Sequence, residues 1–340
     1  VWPDDTTSSA KRVRLKKVFD VFFKEDQPLI AVADSQNRVK IFEGVQGKEL
    51  RYSESYNAKI TCLLFSLDGS KVAIGLESGE IKILAVQTCQ LLLKLDGHGG
   101  KVYSINYNSS GSVLLSCSKD GTFMTWDCES GKPLLGKEPR HEEDVTVASF
   151  FDNDKRIVTA SKDGTAKVWD SVSGNFLFTC VHERNQWVLT CVVSSDNKRI
   201  VTGSVESVVK TWDASTGQEL FNVKPHSDVV RSLSISEDNV IFASGSDDGT
   251  VKISSLVDGK VLASCTSHTY AWVTDIVFGK NCKQLVTVGN NIQWHDTDGK
   301  LLQQFFIKGS HLRRIKCSPD FRLFITVDNE GVLYILKVIS

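Results

Sequence analysis

The stretch SKDGTAKVWD, residues 161–170, carries the pattern on which the chain is built. An Asp-Gly turn leads into a β-prone run whose Trp follows the Asp by six residues. The same spacing joins Asp120 to Trp126, and Trp126, Trp169 and Trp212 recur at intervals of 43 residues, each followed by Asp. Self-similarity at a period of about 40 to 45 residues is typical of propellers, in which each copy forms a four-stranded blade.

Histidines mark the start of the repeating units. Six of the seven histidines recur at intervals of 41 to 44 residues, at positions 98, 141, 182, 226, 268 and 311. Each is expected just before the first strand of a unit. Extending the same period towards the N-terminus predicts two further units that open near Ala58 and near Lys17, without the histidine. The pattern therefore predicts eight units.

Each unit shows four runs of β-branched and aromatic residues separated by turn residues. In the fourth unit the predicted strands are 144–151, 155–160, 165–169 and 175–181. Because blades are packed on both faces, their strands should read as nearly continuous apolar runs, as RIVTA does. The sequence therefore predicts an all-β fold.

The last unit holds only 30 residues after His311 begins it, which is enough for three strands. The stretch KRVRLKK, residues 11–17, precedes the first unit, and we expect it to supply the missing fourth strand. Such a closure removes an exposed sheet edge. We predict one eight-bladed propeller over 11–340, with the last blade closed by the N-terminal strand. Residues 1–10 are interpreted as the tail of a preceding propeller and a linker, so the chain is expected to be a fragment of a larger protein.

The basic stretch KRVRLKK has a second interpretation. Five basic residues in seven are compatible with a localisation signal or a nucleic-acid patch as well as with a basic outer strand. The net charge of -1 gives no general attraction to nucleic acid or membranes, and no apolar run is long enough to span a bilayer. We therefore favour the outer strand and expect neither nucleic acid nor a membrane as a partner.

The nine cysteines are an odd number, include no C-x-x-C pair and mostly fall inside strand-like runs. This favours buried, reduced thiols in a cytoplasmic protein over disulfides or a metal site.

A repeated set of polar residues predicts a structural network. His98, Asp120 and Trp126 have internal spacings of 22 and 6, and the fourth unit repeats these spacings in His141, Asp163 and Trp169. Such a His, a turn Asp, a Ser or Thr and a Trp can form one buried hydrogen-bond network, and His226 is expected to belong to another. The set resembles a hydrolase triad, but its repetition around a ring argues for a structural role.

Two later units depart from this set. Glu206 replaces the Asp in the fifth unit, and Ser254 replaces the Trp in the sixth. Blades without the full network should be less rigid. The chain contains no P-loop, nucleophile elbow or zinc-spaced cluster. We therefore predict a binding scaffold with no catalytic residues, no metal and no cofactor.

The opening loops and the turns between second and third strands should gather on one rim of a propeller. This rim is predicted to be acidic, with Tyr270 and Trp272 beside the acids. An acidic ring with an aromatic anchor suits a basic protein partner, whereas a merely solvated rim with Trp272 packed inward is the alternative. The acids are Glu77, Asp120, Glu142, Glu143, Asp144, Asp163, Glu206, Asp247, Asp248 and Glu330.

The periodic His, Asp and Trp-Asp positions resemble those of the WD40 propellers along the whole chain. Three stretches resemble more closely the C-terminal repeats of the apoptotic protease-activating factors, the apoptosome scaffolds. These stretches are DDTTSSAKRVRLKKVFDVFF, AWVTDIVFGKNCKQLVTVGNNIQWHD and HLRRIKCSPDFRLFITVDNEGVLYIL. The resemblance implies the C-terminal eight-bladed propeller of such a scaffold.

The resemblance also implies partners for the chain. Members of that family hold a caspase-recruitment domain, a nucleotide-binding ATPase that takes ATP or dATP, a seven-bladed propeller and an eight-bladed one. Cytochrome c is expected to dock between the propellers and release the autoinhibited ATPase, which then forms a heptamer and recruits procaspase-9. This chain alone would carry no enzyme activity.

By position, the resemblance implies six contacts with cytochrome c: Asp120, Glu143, Asp163, Asp247, Asp248 and Trp272. Lys119 stands where an acid would be expected before Asp120. Since Asp120, Asp163 and Asp248 are also turn acids of the structural networks, Asp247 is the favoured contact. A general WD40 adaptor for another peptide or protein is the alternative function.

Overall fold

The computed structural model shows a chain built from β-strands. It describes residues 11–12, 15–23, 28–44, 46–136, 140–183, 186–266, 272–279, 281–306, 311–318, 322–328 and 332–337. These residues form 32 strands in eight four-stranded antiparallel sheets, and no helix occurs among them.

The first four blades follow one another along the chain. Blade 1 holds β2 (Leu15–Phe22), β3 (Leu29–Asp34), β4 (Val39–Glu43) and β5 (Lys48–Tyr52). Blade 2 holds β6 (Ile60–Phe65), β7 (Lys71–Leu76), β8 (Ile81–Ala85) and β9 (Leu91–Leu95). Blade 3 holds β10 (Val102–Tyr107), β11 (Val113–Ser118), β12 (Phe123–Asp127) and β13 (Pro133–Leu135). Blade 4 holds β14 (Val145–Phe151), β15 (Arg156–Ser161), β16 (Thr165–Asp170) and β17 (Phe176–Val181).

The remaining blades continue the series. Blade 5 holds β18 (Val188–Val193), β19 (Arg199–Ser204), β20 (Val209–Asp213) and β21 (Glu219–Val223). Blade 6 holds β22 (Val230–Ile235), β23 (Ile241–Ser246), β24 (Thr250–Ser255) and β25 (Val261–Thr266). Blade 7 holds β26 (Asp275–Phe278), β27 (Gln284–Val288), β28 (Asn291–Asp296) and β29 (Leu301–Phe306). Blade 8 holds β30 (Leu312–Cys317), β31 (Leu323–Asp328), β32 (Val332–Lys337) and β1 (Lys11–Arg12).

The blades form a closed ring around their first strands. Each first strand contacts the first strand of the next blade, and β2 of blade 1 contacts both β6 and β30. The last sheet is completed by β1, which pairs antiparallel with β32. The predicted eight-bladed all-β fold and its closure by the N-terminal strand are confirmed.

The basic stretch 11–17 is divided between two blades. Among the described residues, Lys11–Arg12 forms the closing strand, whereas β2 of blade 1 already begins at Leu15. A segment cannot be both the outermost strand of one blade and the innermost strand of the next, so the predicted seven-residue strand is shortened. The predicted strands of blade 4 agree with the observed strands to within one residue at each end.

The core lies between neighbouring blades. Second strands such as β11 are buried along nearly their whole length, whereas fourth strands such as β17 are largely exposed. One hydrophobic cluster joins Ile83 of blade 2 to Trp126 of blade 3. All nine cysteines are free thiols and seven of them are buried, as predicted. The ring is therefore stabilised mainly by apolar burial between sheets.

In blades 3 and 4 the Asp-Gly turn contacts the opening loop of the next blade. Gly121 and Gly164 have positive φ values of 79° and 84°. A Cβ at Gly164 would lie 2.9 Å from the carbonyl oxygen of Glu183, in the next opening loop. Gly164 also accepts a hydrogen bond of 2.9 Å from the backbone N–H of His182. Glycine is thus needed here for both its backbone conformation and this close approach.

Candidate functional site

The loops that precede each first strand and the turns between second and third strands lie on one side of the ring. We call this side the upper rim. In blade 4 the two segments touch directly, because Lys162 of the turn donates its backbone N–H to the carbonyl of Asp144 in the opening loop, at 3.0 Å. The upper rim contains both the predicted structural networks and the predicted partner contacts.

In blade 3, one hydrogen-bond chain runs from the third strand to the upper rim. Trp126 Nε1 lies 2.8 Å from Ser116 Oγ, which lies 2.8 Å from His98 Nε2. His98 Nδ1 lies 3.2 Å from Asp120 Oδ2. The indole N–H can only donate and the carboxylate can only accept. With a neutral His98 protonated on Nδ1, each hydrogen bond of this series therefore has one donor and one acceptor: Trp126 donates to Ser116, Ser116 to His98, and His98 to Asp120.

Blade 4 repeats the arrangement with threonine in place of serine. Trp169 Nε1 donates to Thr159 Oγ1 at 2.9 Å, Thr159 Oγ1 lies 2.7 Å from His141 Nε2, and His141 Nδ1 lies 2.7 Å from Asp163 Oδ2. Burial lowers the pKa of His141 despite the opposing effect of Asp163, so the imidazole is neutral at pH 7. The network therefore joins two strands, the turn between them and the opening loop of one blade.

Both oxygens of the turn aspartates are occupied inside the blade. Asp163 Oδ2 accepts from His141 and from the backbone N–H of Glu142, and Oδ1 accepts from the backbone and the hydroxyl of Thr165. Asp120 and Asp248 have the same four kinds of donor. Their side chains are only 4% to 15% exposed. These three predicted contact residues are thus held inside their own blades.

The hydrogen bonds fix the charge of these aspartates. Burial acts to raise the pKa of Asp120, but hydrogen bonds from His98, Thr122 and the backbone N–H of Gly99 outweigh it and hold the pKa well below its ordinary value. Burial also acts to raise the pKa of Asp163, but the interaction with His141, above all its hydrogen bond, outweighs this effect and lowers the pKa. A carboxylate that accepts several hydrogen bonds is stabilised in its charged form. Each turn therefore carries a fixed negative charge.

Two blades lack part of the network, as the sequence predicts. In blade 5, Glu206 is exposed and His182 Nδ1 is buried without a hydrogen-bond partner among the described residues, although Nε2 still lies 2.7 Å from Thr202 Oγ1. Burial, with the charge of Lys210, lowers the pKa of His182 to about 3. In blade 6, Ser254 Oγ is also buried, with no hydrogen-bond partner in the part of the chain that the structure describes.

Among the acids predicted to contact a partner, Glu143 has the exposed position. It lies in the opening loop of blade 4, and its carboxylate has no ion pair with any residue that the structure describes. Asp247 differs from the expectation, because its two oxygens each lie 2.6 Å from the guanidinium of Arg231 and its side chain is 6% exposed. Asp247 lies outside the histidine networks but is already neutralised.

Trp272 is exposed on the upper rim, with 48% of its surface accessible. A second exposed tryptophan, Trp187, was not singled out from the sequence and is 46% accessible. Each precedes a buried valine, Val188 or Val273, at the start of its blade. Aligning the opening loops would have identified Trp187. Its ring lies 4.7 Å from the ammonium of Lys162, which also pairs with Asp144 at 2.8 Å.

Two further predicted rim residues, Tyr270 and Glu330, lie outside the described residues, as does His268. His311 departs from the spacing of the other histidines, because it directly precedes β30 whereas His98 stands four residues before β10. Within the described ranges, no three His, Cys, Asp or Glu side chains are grouped so as to hold a metal ion. Nor does any described helix have the length and apolar character needed to cross a bilayer.

Comparisons with known proteins agree with this architecture. The family model described as "WD domain, G-beta repeat" matches residues 89–127, 133–170, 173–213 and 217–253. The crystal structure of the computationally designed Ika8 protein has a TM-score of 0.83 to this chain, covers 96% of each chain and is 24% identical. That likeness supports the fold alone.

Similar curated proteins extend the match to the whole chain. Apoptotic protease-activating factor 1 of Rattus norvegicus is 31% identical, and that of Homo sapiens is 29% identical; each match covers 100% of this chain. The chain spans 27% of the length of these relatives. The chain is therefore an eight-bladed WD40 β-propeller, homologous along its whole length to the WD40 region of apoptotic protease-activating factor 1.

Proposed function

We propose that this propeller is the cytochrome c-binding regulatory module of an apoptosome scaffold. The observation that carries the proposal is the similarity of the whole chain to apoptotic protease-activating factor 1, in organisms as distant as Homo sapiens and Danio rerio. In this role the propeller holds the parent protein inactive until cytochrome c docks. The parent protein then oligomerises and activates procaspase-9.

The upper rim supports contact with a basic protein through one acid in particular. Glu143 is exposed, and the neighbouring Glu142 is exposed as well. A lysine that reaches Glu143 displaces only water, because no cation of the described residues already occupies it. Lysine-rich proteins are steered towards such acidic surface by long-range attraction that salt weakens.

The remaining predicted acids contribute differently. Asp120, Asp163 and Asp248 keep their charge inside the blades and add to the local negative potential, although their oxygens are occupied. To contact a lysine of the partner, Asp247 would have to release Arg231. The bidentate pair of Asp247 with Arg231 is stronger than a pair of Asp247 with a lysine. We therefore assign direct contact to Glu143 and a background role to the turn aspartates.

A binding role also accounts for the resemblance to a catalytic triad. In blades 3 and 4 the hydroxyl next to the histidine is buried and hydrogen-bonded to a tryptophan, so it faces the core instead of solvent. We infer that these networks hold the blades and that the chain acts by binding alone. ATP or dATP would then be bound by another part of the parent protein.

Cytochrome c titration against this chain tests the proposal. We expect binding that weakens as salt rises, and a several-fold weaker affinity in Glu143→Gln. The control is Glu129→Gln, which alters an exposed acid in the turn after β12, away from the upper rim. Equal affinities of the two variants would contradict the assigned face. Capture of another protein that cytochrome c does not displace would favour the general adaptor function.

A further inference from the structure

Blade 2 lacks the turn aspartate that blades 3, 4 and 6 use in their networks. The register of β6 with β7 corresponds to that of β14 with β15, which aligns blade 2 with blade 4 at an offset of 85 residues. Ser78 therefore stands at the position of Asp163, and Tyr56 stands at the position of His141. Blade 2 has neither the carboxylate nor the imidazole of the network.

The turn of blade 2 keeps its shape without the aspartate. Gly79 has a φ of 95°, and Gly164 of blade 4 has a φ of 84°. The N–H of Gly79 donates to the carbonyl of Leu76 at 3.2 Å. The N–H of Gly164 likewise donates to the carbonyl of Ser161 at 3.4 Å. The backbone that surrounds a turn carboxylate in blade 4 is therefore present in blade 2.

Two backbone donors of blade 2 lack the acceptor that they have in other blades. In blade 4, Asp163 accepts the N–H groups of Glu142 and Thr165 at 3.2 and 2.9 Å, and the same two bonds recur in blades 3 and 6. The equivalent N–H groups of blade 2 belong to Asn57 and Glu80, which lie outside the strands. Neither N–H donates a hydrogen bond to another residue that the structure describes.

A cavity of about 410 Å³ opens beside these two donors on the upper rim. A volume of this size lies at the lower end of the range of small-ligand sites. Its wall includes the opening loop and the turn of blade 2, together with the ring of a buried tyrosine and one lysine of β8. The residues that matter here are Tyr56, Asn57, Ser78, Glu80 and Lys82.

Lys82 supplies a positive charge to the cavity. Its side chain is 16% exposed, and its Nζ lies 4.0 Å from the carboxylate of Glu80, which is beyond hydrogen-bond distance. Glu80 is already paired with Lys94 at 2.9 Å. In blade 4 the equivalent of Lys82 is Lys167, whose Nζ lies 4.0 Å from Oδ2 of Asp163. A lysine at this position of a blade therefore reaches the place of the turn carboxylate.

We propose that the cavity of blade 2 binds a carboxylate in the place of the missing turn aspartate. One oxygen accepts the N–H of Asn57 and the other accepts the N–H of Glu80, while the ammonium of Lys82 neutralises the charge. The carboxylate belongs either to a free small acid or to an acidic side chain of a peptide. This goes beyond cytochrome c binding, because the site lies on another blade than Glu143 and takes a ligand of the opposite charge.

The test follows the backbone amide resonances of the isotope-labelled 340-residue chain during titration at constant ionic strength. The probes are acetyl-aspartyl-amide, sodium acetate and the neutral acetyl-asparaginyl-amide. Both carboxylates should shift the amides of Asn57 and Glu80 in a saturable way, and the neutral probe should not. The amides of Gly99 and Thr122 are the internal control and should not shift, because Asp120 already binds them in blade 3.

The two carboxylate probes distinguish the sources of the ligand. Tighter binding of acetyl-aspartyl-amide than of acetate would assign the site to an acidic side chain of a peptide. Equal binding of the two would assign it to a free small acid. Either result supports a carboxylate site.

Three variants test the assigned position. Ser78→Asp restores the aspartate of the repeat, so it should shift the amides of Asn57 and Glu80 without any probe and abolish binding of both carboxylates. Ser78→Ala is the matched control and should bind as the unaltered chain does. Lys82→Gln should raise the Kd for acetyl-aspartyl-amide about tenfold, or about 1.4 kcal/mol.

Four outcomes would overturn the inference. These are the absence of a saturable shift at Asn57 and Glu80, equal binding of the neutral probe, unaltered binding in Ser78→Asp, and an unchanged Kd in Lys82→Gln. Tighter binding of inorganic phosphate than of acetate would also overturn it, since a general anion site would replace the carboxylate site. Cytochrome c binding is measured separately and depends on Glu143, so failure of one proposal is distinguishable from failure of the other.

Discussion

Replacement of Asp163 by alanine should destabilise blade 4 more than any other single change in a turn acid of that blade. The carboxylate accepts four hydrogen bonds and is 4% exposed. Two of its four donors are buried: His141 Nδ1–H, whose side chain is 0% exposed and would keep only the longer contact of 3.3 Å with Thr165 Oγ1, and the backbone N–H of Thr165. At about 1 to 3 kcal/mol for each of these two donors, the free energy of unfolding should fall by about 2 to 6 kcal/mol.

The fifth blade supplies the matched control. Glu206 holds the equivalent turn position but is exposed and stands apart from His182, so Glu206→Ala should change the free energy of unfolding by less than about 0.5 kcal/mol. Urea unfolding gives the two values, and hydrogen exchange of the blade 4 amides shows whether the loss is local. If Asp163→Ala were no more destabilising than Glu206→Ala, the network would not stabilise the blade.

The pH dependence gives a second readout of the same variant. The pKa of Asp163 in the folded chain lies below the ordinary 3.8, since the hydrogen bonds of His141 and Thr165 outweigh the effect of burial. A carboxyl group with a depressed pKa stabilises the fold fully above its unfolded pKa, and this contribution is lost as the pH falls through the folded pKa. The difference in stability between wild type and Asp163→Ala should therefore be constant from pH 7 to about 5 and narrow below about 4.

Further predictions concern blade 5 and the Asp-Gly turn. The pKa of His182 is lowered to about 3 in the folded chain, so between pH 7 and 5 this residue becomes protonated in the unfolded state but stays neutral in the folded state. Acidification from pH 7 to 5 should therefore lower the free energy of unfolding by about 2 kcal/mol through this residue. His182→Gln should reduce the dependence of the unfolding free energy on pH by that amount, and an unchanged slope would contradict it. Gly164→Ala should destabilise the chain by about 1 to 3 kcal/mol in urea unfolding, through its positive φ and the contact with Glu183. At the equivalent turn of blade 5, Ser207 already has a φ of 67°, so Ser207→Gly should leave stability unchanged or raise it by up to about 1 kcal/mol.

The spacing of a few residue types was enough to predict the fold. The 43-residue interval between Trp126 and Trp169 fixes the blade period, and the 22-residue interval between His141 and Asp163 places an opening loop next to a turn. These intervals are informative because each blade must bury the same contacts with its neighbours. The shortened last unit similarly indicated closure by the N-terminal strand.

The spacing of residue types could not predict which acids of the rim are free to bind a partner and which are already paired within the chain. Asp247 and Glu143 are both acids of the rim in sequence, but a salt bridge from Arg231 occupies Asp247 and nothing described occupies Glu143. That difference depends on which strand position faces the turn, which requires the register of β22 with β23.

The central functional claim is that the upper rim recognises lysines of cytochrome c through acidic side chains. The most direct test compares native cytochrome c with cytochrome c whose lysines have been acetylated, titrated into the unaltered chain at low salt. Acetylation removes the positive charge and leaves the protein partner otherwise similar. We predict that native cytochrome c binds and that the acetylated form does not. Equal binding of the two forms, or no binding of either, would contradict the claim.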